Sequence, residues 1–329
     1  MNMSRQPATA GRWWPWLVAW LVLTAMVLLS ARGIDWNQAW RTIAEAAPLW
    51  IIAALVVNFT ILPVLAWQWV LFLPPKNRVA YPVMLRIIFV TASVAHTGPI
   101  FAGHAAGVHL VATKGGTGYA AAVSAKALDQ LSEGVSKLVM LGAVVALVPL
   151  STSLRTASLV LLLGVPVLFL VLLIVAHRAH VLERWAGRRR GAQAATLLFL
   201  MEVARQMETM RRPAGLAVVL GLGLIQKILE GLAIWAVLMA LGLDVPAWGV
   251  LLCLTVVTLS TMVSVTPANL GVYEGSAVLA YSLAGLDTET ALSAAVLQHA
   301  AYLIPFIGCG WASLAVEAVR ARSRRQADL

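Results

Sequence analysis

The stretch TPANLGVYEG, Thr266 to Gly275, lies between an uncharged run, Gly249 to Val265, and a weakly polar one, Ser276 to Leu286. A proline, an asparagine, two glycines, a tyrosine and a glutamate fall together where a membrane helix would otherwise run on. Lipid offers no hydrogen bonds to a freed N–H or C=O, so irregular backbone at that depth must be buried in protein or line a wet cavity. The break therefore predicts a discontinuous membrane element, and the rest of the chain must supply the bundle that covers it.

The composition provides such a bundle. Of the 329 residues, 60% are hydrophobic and 12% charged, more apolar surface than a soluble domain of this length can hide. The runs Trp13 to Ala31, Trp50 to Leu73, Leu159 to Ala176, Leu216 to Leu241 and Leu292 to Val316 approach or exceed the ~20 residues that cross a bilayer. The expected fold is an all-α polytopic integral membrane protein: one transmembrane domain over 1–329, with about six full spans plus two re-entrant broken hairpins. The first run has no small-residue cleavage site and reads as a retained helix. Cys253 and Cys309 both lie in apolar runs, as small buried hydrophobes rather than disulfide or metal ligands.

The net charge of +10 is distributed as the positive-inside rule requires, which argues against nucleic acid as a partner. Arginines crowd between Arg178 and Arg212 and between Arg320 and Arg325, with Arg5, Arg12, Lys76 and Arg78 beside other spans. These segments are assigned to the cytoplasm, and so are both termini. The acidic or nearly neutral loops at 32–48, 151–156, 242–246 and 287–290 are assigned to the outside. The basic loop His177 to Arg212 contains LLFLMEVARQMETMRR, which can lie on the inner leaflet with its arginines on anionic lipids.

Charge counting also locates a second hairpin. The run Val83 to Ala112 begins beside Lys76 and Arg78 and ends beside Lys114, so both ends belong to one side, and HTGP (His96 to Pro99) breaks it. The run 248–286 begins beside Asp244 and ends beside Asp287, so it enters from the other side. At an offset of 169 residues AVSAKAL (Ala122 to Leu128) lies against ALSAAVL (Ala291 to Leu297), and Thr97 falls on Thr266. Two hairpins of opposite orientation make an inverted repeat, an arrangement that in secondary transporters places the ligand where the broken tips meet.

Ionisable residues inside the spans mark candidate sites. Lys126, Asp129, Glu133 and Lys137 fall within a sector of roughly 80° on one helix at about 100° per residue. Charge is costly in a bilayer, so this stripe should face a cavity or the bundle interior. It reads as lining of a cavity, with self-neutralising pairs that hold helices together as the alternative. Gln226, Lys227 and Glu230 form a shorter polar face, read as helix-to-helix glue. His96, His104 and His109 surround the first break and His299 follows Gln298 in the last helix. With no HExxH-like spacing, polar lining is the better reading than a zinc site. KGGTG (Lys114 to Gly118) lacks the Lys-Ser/Thr ending of a phosphate-binding loop and reads as a connection. In the second break Pro267 interrupts the helix, Gly271 permits positive φ, and Asn269 can satisfy freed backbone groups. Tyr273 and Glu274 follow; Glu274 either caps the returning half-helix or projects into the cavity.

The order of these pieces resembles a known family. A broken region with a proline and small residues precedes a helix bearing ALDQLSEG; then come PANLGVYEG and, about fifteen residues later, ALSAAVLQHAAYLIP. This looks like the flippase-like membrane domain of lysylphosphatidylglycerol synthases and its stand-alone prokaryotic relatives, over nearly the whole chain. Pro267, Gly271 and Glu274 match the family pattern P-G-G-x-G-x-x-E. Where the family commonly reads G-E-x-x-R after the first break, this chain has Gly103, His104 and His109, and the last helix has Gln298 and His299 where an arginine is frequent. The headgroup handled here is therefore expected to differ from an aminoacyl phospholipid. The chain stops without a soluble aminoacyl-transferase domain, so it is not expected to synthesise the lipid.

The resulting expectation is a lipid translocator whose headgroup cavity is lined by the residues above, without a cofactor or an ATP-binding motif. A membrane lipid is its substrate, and a lipid-synthesising enzyme or a second copy of the chain are the protein partners considered. An intramembrane lipid-modifying enzyme and a membrane scaffold for a separate synthase are the alternatives.

Overall fold

In a bilayer only an α-helix satisfies every backbone N–H within its own segment, and the apolar runs of this chain fold accordingly. The computed structural model describes residues 36–98, 100–177, 213–263 and 266–327, and the described residues form helices without strands. The first apolar run, Pro99 and the basic loop at 178–212 lie outside the described residues. The helices are α1 (Trp36–Ala44), α2 (Pro48–Phe72), α3 (Tyr81–Thr97), α4 (Ile100–Thr113), α5 (Tyr119–Leu147), α6 (Thr152–His177), α7 (Pro213–Ala240), α8 (Ala247–Ser260), α9 (Val272–Leu283) and α10 (Thr288–Ala327). Windows in α2, α5, α7 and α10 are long and apolar enough to cross a membrane. Their outer faces expose large hydrophobic side chains such as Ile52, Val56, Ile228 and Ile304, as a lipid-facing surface does. The protein is an all-α, multi-pass membrane protein.

Two pairs of helices are too short to cross. α3 and α4 have 17 and 14 residues, and α8 and α9 have 14 and 12. At about 1.5 Å per residue they reach roughly 18–25 Å, against a hydrocarbon core of about 30 Å. Each pair packs against itself as a broken hairpin.

The offset of 169 residues organises the whole architecture. It carries α2 onto α7, α3 onto α8, α4 onto α9 and α5 onto α10, and Tyr119 at the start of α5 falls on Thr288 at the start of α10. Contacts repeat in the same way: α3 packs on α10 as α8 packs on α5, and α2 packs on α10 as α7 packs on α5. The two halves run in opposite directions. The Ala47 N–H, at the start of α2, donates to the carbonyl of Ala240 at the end of α7 (2.7 Å), and Trp50 meets Trp235 edge-on. Near the other end Gln226 donates to Gln68. The repeat is therefore inverted.

Each half has its own core, and the long helix of each ends in the core of the other. Leu62, Phe72, Met84, Ile88 and Val111 of the first half enclose Phe306 of α10. Leu238, Cys253, Tyr281 and Ala294 of the second enclose Met140 and Val144 of α5. Polar side chains satisfy the backbone where the helices are interrupted. Pro305 has no N–H for the carbonyl of Ala301, and Asn58 of α2 donates its amide to that carbonyl (3.1 Å). The Ser93 hydroxyl is shared between the carbonyls of Phe306 and Ile307. At Gly310 a Cβ would stand 2.0 Å from the Ser93 oxygen, so only glycine lets α10 approach α3 this closely.

Candidate functional site

Glu133 lies midway along α5, and the repeat offset places it on Tyr302, midway along the apolar window of α10. Both face a cavity of about 250 Å³. Its charged lining comes from two antiparallel-repeat elements: Lys126, Asp129 and Glu133 on α5, and Lys227 and Glu230 on α7. Gln226, His96 at the end of α3 and His104 on α4 complete the polar wall.

The charges pair along their own helices. Lys126 Nζ lies 2.8 Å from Asp129, Lys137 Nζ 2.7 Å from Glu133, and Lys227 Nζ 2.8 Å from Glu230. A buried pair recovers its desolvation cost only when the remaining lone pairs are also satisfied, so such pairs are weak stabilisers and open to exchange. The stripe is self-neutralised, but along its own helix rather than between helices, and three of its four members line the cavity. Lys227 and Glu230 correct the glue reading, because they line this cavity as well; Gln226 does both, bonding Gln68 across α2 and α7. Gln68 in turn donates to Ser132 (2.9 Å).

A smaller cavity of about 80 Å³ adjoins the second hairpin. Asn269 at the tip, Tyr273 on α9, Gln298 on α10 and Asn58 on α2 line it, and Lys227, Glu230 and Tyr302 line both cavities. Gln298 is central: its amide donates to the Tyr273 oxygen (2.7 Å), and its carbonyl accepts from Tyr281. Cys253 lies beside it, and both cysteines are free thiols.

The tip itself shows why TPANLGVYEG is built as it is. Pro267 opens a short 3₁₀ turn, Ala268 and Asn269 take left-handed φ of 54° and 58°, and Gly271 takes φ 81°. The left-handed alanine costs about 1–2 kcal/mol, which the surrounding hydrogen bonds must offset. Those bonds include Asn269 N–H to Thr266 O (3.0 Å) and Thr266 hydroxyl to Leu270 O (3.0 Å). Glu274 accepts from the Gly271 N–H (2.7 Å) with one oxygen and meets His299 Nδ1 (2.6 Å) with the other. His299 also stacks on Tyr273, with ring centroids 4.0 Å apart. Glu274 thus caps α9 and ties the tip to α10, and it lines neither cavity described above.

The structure therefore gathers Lys126, Asp129, Glu133, His96 and His104 at the larger cavity, Asn269, Tyr273 and Gln298 at the smaller, and Gly271, Glu274 and His299 at the tip. His109 is exposed, bonded to the Tyr119 hydroxyl (2.7 Å), and apart from both cavities. Among the described residues no three His, Cys, Asp or Glu side chains converge as metal ligands would. Sequence reading missed Trp69, Thr91 and Tyr302, all of which line the larger cavity. The repeat offset held one usable signal, since it sets Asn58 against Lys227 and Asp129 against Gln298, polar against polar inside apolar helices.

No curated protein and no solved structure matches this chain. The family model for the lysylphosphatidylglycerol synthase TM region matches residues 16–310, and the chain belongs to that family.

Proposed function

We propose that this protein moves a polar-headed lipid between the leaflets of a prokaryotic cytoplasmic membrane. The headgroup passes through the paired charges of the larger cavity while the acyl chains stay in the bilayer. One observation carries this reading: a cavity lined by Lys126, Asp129, Glu133, Lys227 and Glu230 sits at mid-span in a bundle whose outer faces are apolar. Ionisable groups at that depth are expensive to keep and belong to substrate pathways more often than to scaffolding. The first hairpin walls the larger cavity and the second the smaller one beside it, and rocking of one half against the other would expose them to each side in turn. The first hairpin opens toward the cytoplasm and the second toward the outside, with both termini cytoplasmic. Asn269, Tyr273 and Gln298 serve the second wall, and Glu274 with His299 holds its tip. No catalytic step and no cofactor is assigned, and anionic lipids bind the basic loop at the inner surface.

The test is reconstitution of the full chain in unilamellar vesicles, with leaflet exposure of a headgroup amine followed by an impermeant amine reagent. Redistribution several times faster than in protein-free vesicles is expected. A rate equal to that of empty vesicles for anionic, zwitterionic and cationic lipids alike overturns the reading.

A further inference from the structure

The wall of the larger cavity carries donors that no described residue uses. Trp69 is 3% exposed and, among the described residues, its indole Nε1 has no hydrogen-bond partner; the hydroxyl of Thr91, on α3, has none there either. Both residues line the cavity. They meet beside Gly107, where a Cβ would stand 3.1 Å from the Thr91 methyl and 3.6 Å from the Trp69 ring. The Lys126 ammonium lies over the same ring, 5.8 Å from its centroid. A buried donor left unmade is costly, so two of them in one cavity wall, one beneath an ammonium, mark a place for acceptor oxygens that a bound group brings.

The rest of the wall has the opposite sense. Asp129, Glu133 and Glu230 face the cavity, each already matched by one lysine. A ligand of a single charge sign can replace only one partner of such a pair and strands the other in a low-dielectric interior. A ligand carrying both signs can open a pair and satisfy both members.

We propose that the larger cavity selects a zwitterionic headgroup: a phosphate at the Lys126, Trp69 and Thr91 end, and an ammonium against Asp129, Glu133 and Glu230. This rests on the translocation reading for the lipid as its source. The indole N–H and the hydroxyl donate to phosphate oxygens, Lys126 exchanges Asp129 for the phosphate, and the freed carboxylate takes the ammonium. Discrimination against other headgroups comes from the charge left without a partner, not from pocket size.

The test uses the full chain in detergent, titrated with dihexanoyl forms of phosphatidylethanolamine (zwitterionic), phosphatidylglycerol (anionic) and trimethylammonium-propane (cationic, with no phosphate). The zwitterion is expected to bind at least about tenfold more tightly than either of the others, the scale of one lost charge-assisted contact. Trp69→Phe, which keeps the ring and removes the donor, and Thr91→Val, on a different helix, should each weaken that binding several-fold while the anionic lipid changes little. Equal affinity for a singly charged headgroup overturns the proposal, and so do two folded variants that bind the zwitterion as the wild type does. Selective binding without movement of any lipid in vesicles upholds the headgroup class and sinks translocation. Movement of only a singly charged lipid does the reverse. Glycerophosphoethanolamine, if it binds as tightly as the acylated form, upholds the zwitterion and transfers its source from the bilayer to water.

Discussion

The two inverted halves share a backbone and differ in what they put on it. His104, Asp129 and Glu133 of the first half occupy the repeat positions of Tyr273, Gln298 and Tyr302 in the second. The first half lines the larger cavity with charged side chains; the second lends the Lys227–Glu230 pair to both cavities and otherwise lines the smaller one with neutral groups, Tyr273 and Gln298 bonded to one another. Ion pairs can be exchanged for a charged headgroup, whereas a satisfied neutral network in a low-dielectric site resists opening and fixes shape. On the proposed function, the exchangeable charges bind the headgroup and the neutral network of the second half holds the frame around them.

The comparison breaks most severely at Lys227 and Glu230, the pair common to both cavities. Lys227→Met strands Glu230 in the bundle and is expected to cost about 3–5 kcal/mol, seen as loss of folded protein on size exclusion. The double variant Lys227→Met/Glu230→Leu should restore folding, since an apolar pair of similar volume replaces the ions, yet leave transport severely impaired. Wild-type transport in the double variant would return these two residues to the role of helix glue and leave the wall between the cavities without a function.

Next come Asp129 in the first half and Glu274 in the second. Asp129→Asn removes one charge-assisted bond, about 1.5–3 kcal/mol, so transport should fall roughly 10- to 100-fold while abundance changes little. At the tip Glu274→Gln keeps an acceptor for the Gly271 N–H and weakens the bond to His299. Its expected loss is about 1 kcal/mol of stability, with transport falling only in step with the unfolded fraction. Thermal unfolding and vesicle assays on both variants decide the ranking. A Glu274→Gln protein that is as stable as wild type but inert would make the second tip a binding element and dissolve the division between the halves.

Much of this was legible in the sequence for physical reasons. The breaks show because HTGP and TPANLGVYEG cluster proline and glycine with polar residues, whereas a lone proline such as Pro63 or Pro305 stays inside its helix, and the span lengths follow from bilayer thickness. The charge stripe on α5 was visible from its period, and its self-neutralisation from its spacing. Helical period shows which residues share a face but not what the face meets. Lys227 lies about a hundred positions from Lys126, and their common cavity exists only because α5 packs on α7. The Glu274 bond to His299 crosses from one helix to the next through a turn, so no pattern announces it. Trp69 reads from the sequence as an interfacial anchor near the end of a span and Tyr302 stands in an apolar helix, and only the cavity beside them suggests another role. The predicted first span and amphipathic loop fall outside the described residues.

The smallest effect sharpens the comparison at a place remote from the cavity. Residues 118 and 287 are repeat counterparts, each opening the long helix of its half. Gly118 precedes α5 without a side-chain cap, whereas Asp287 accepts a hydrogen bond from the Thr290 N–H (2.9 Å) at the start of α10. That bond, with help from the Thr290 side chain, holds the Asp287 carboxyl below its ordinary value. A depressed carboxylate adds stability above its unfolded value, near pH 4, and loses it as the pH falls through the lowered folded value. Asp287→Ala should therefore lower stability by about 1 kcal/mol at neutral pH, the usual worth of such a cap. The gap between wild type and variant in thermal midpoint should stay constant from neutral pH down to about pH 5 and close below about pH 4. A gap that persists unchanged at pH 3 would mean that Asp287 acts through its shape or its place in the turn, and the capping difference between the halves would then carry no electrostatic weight.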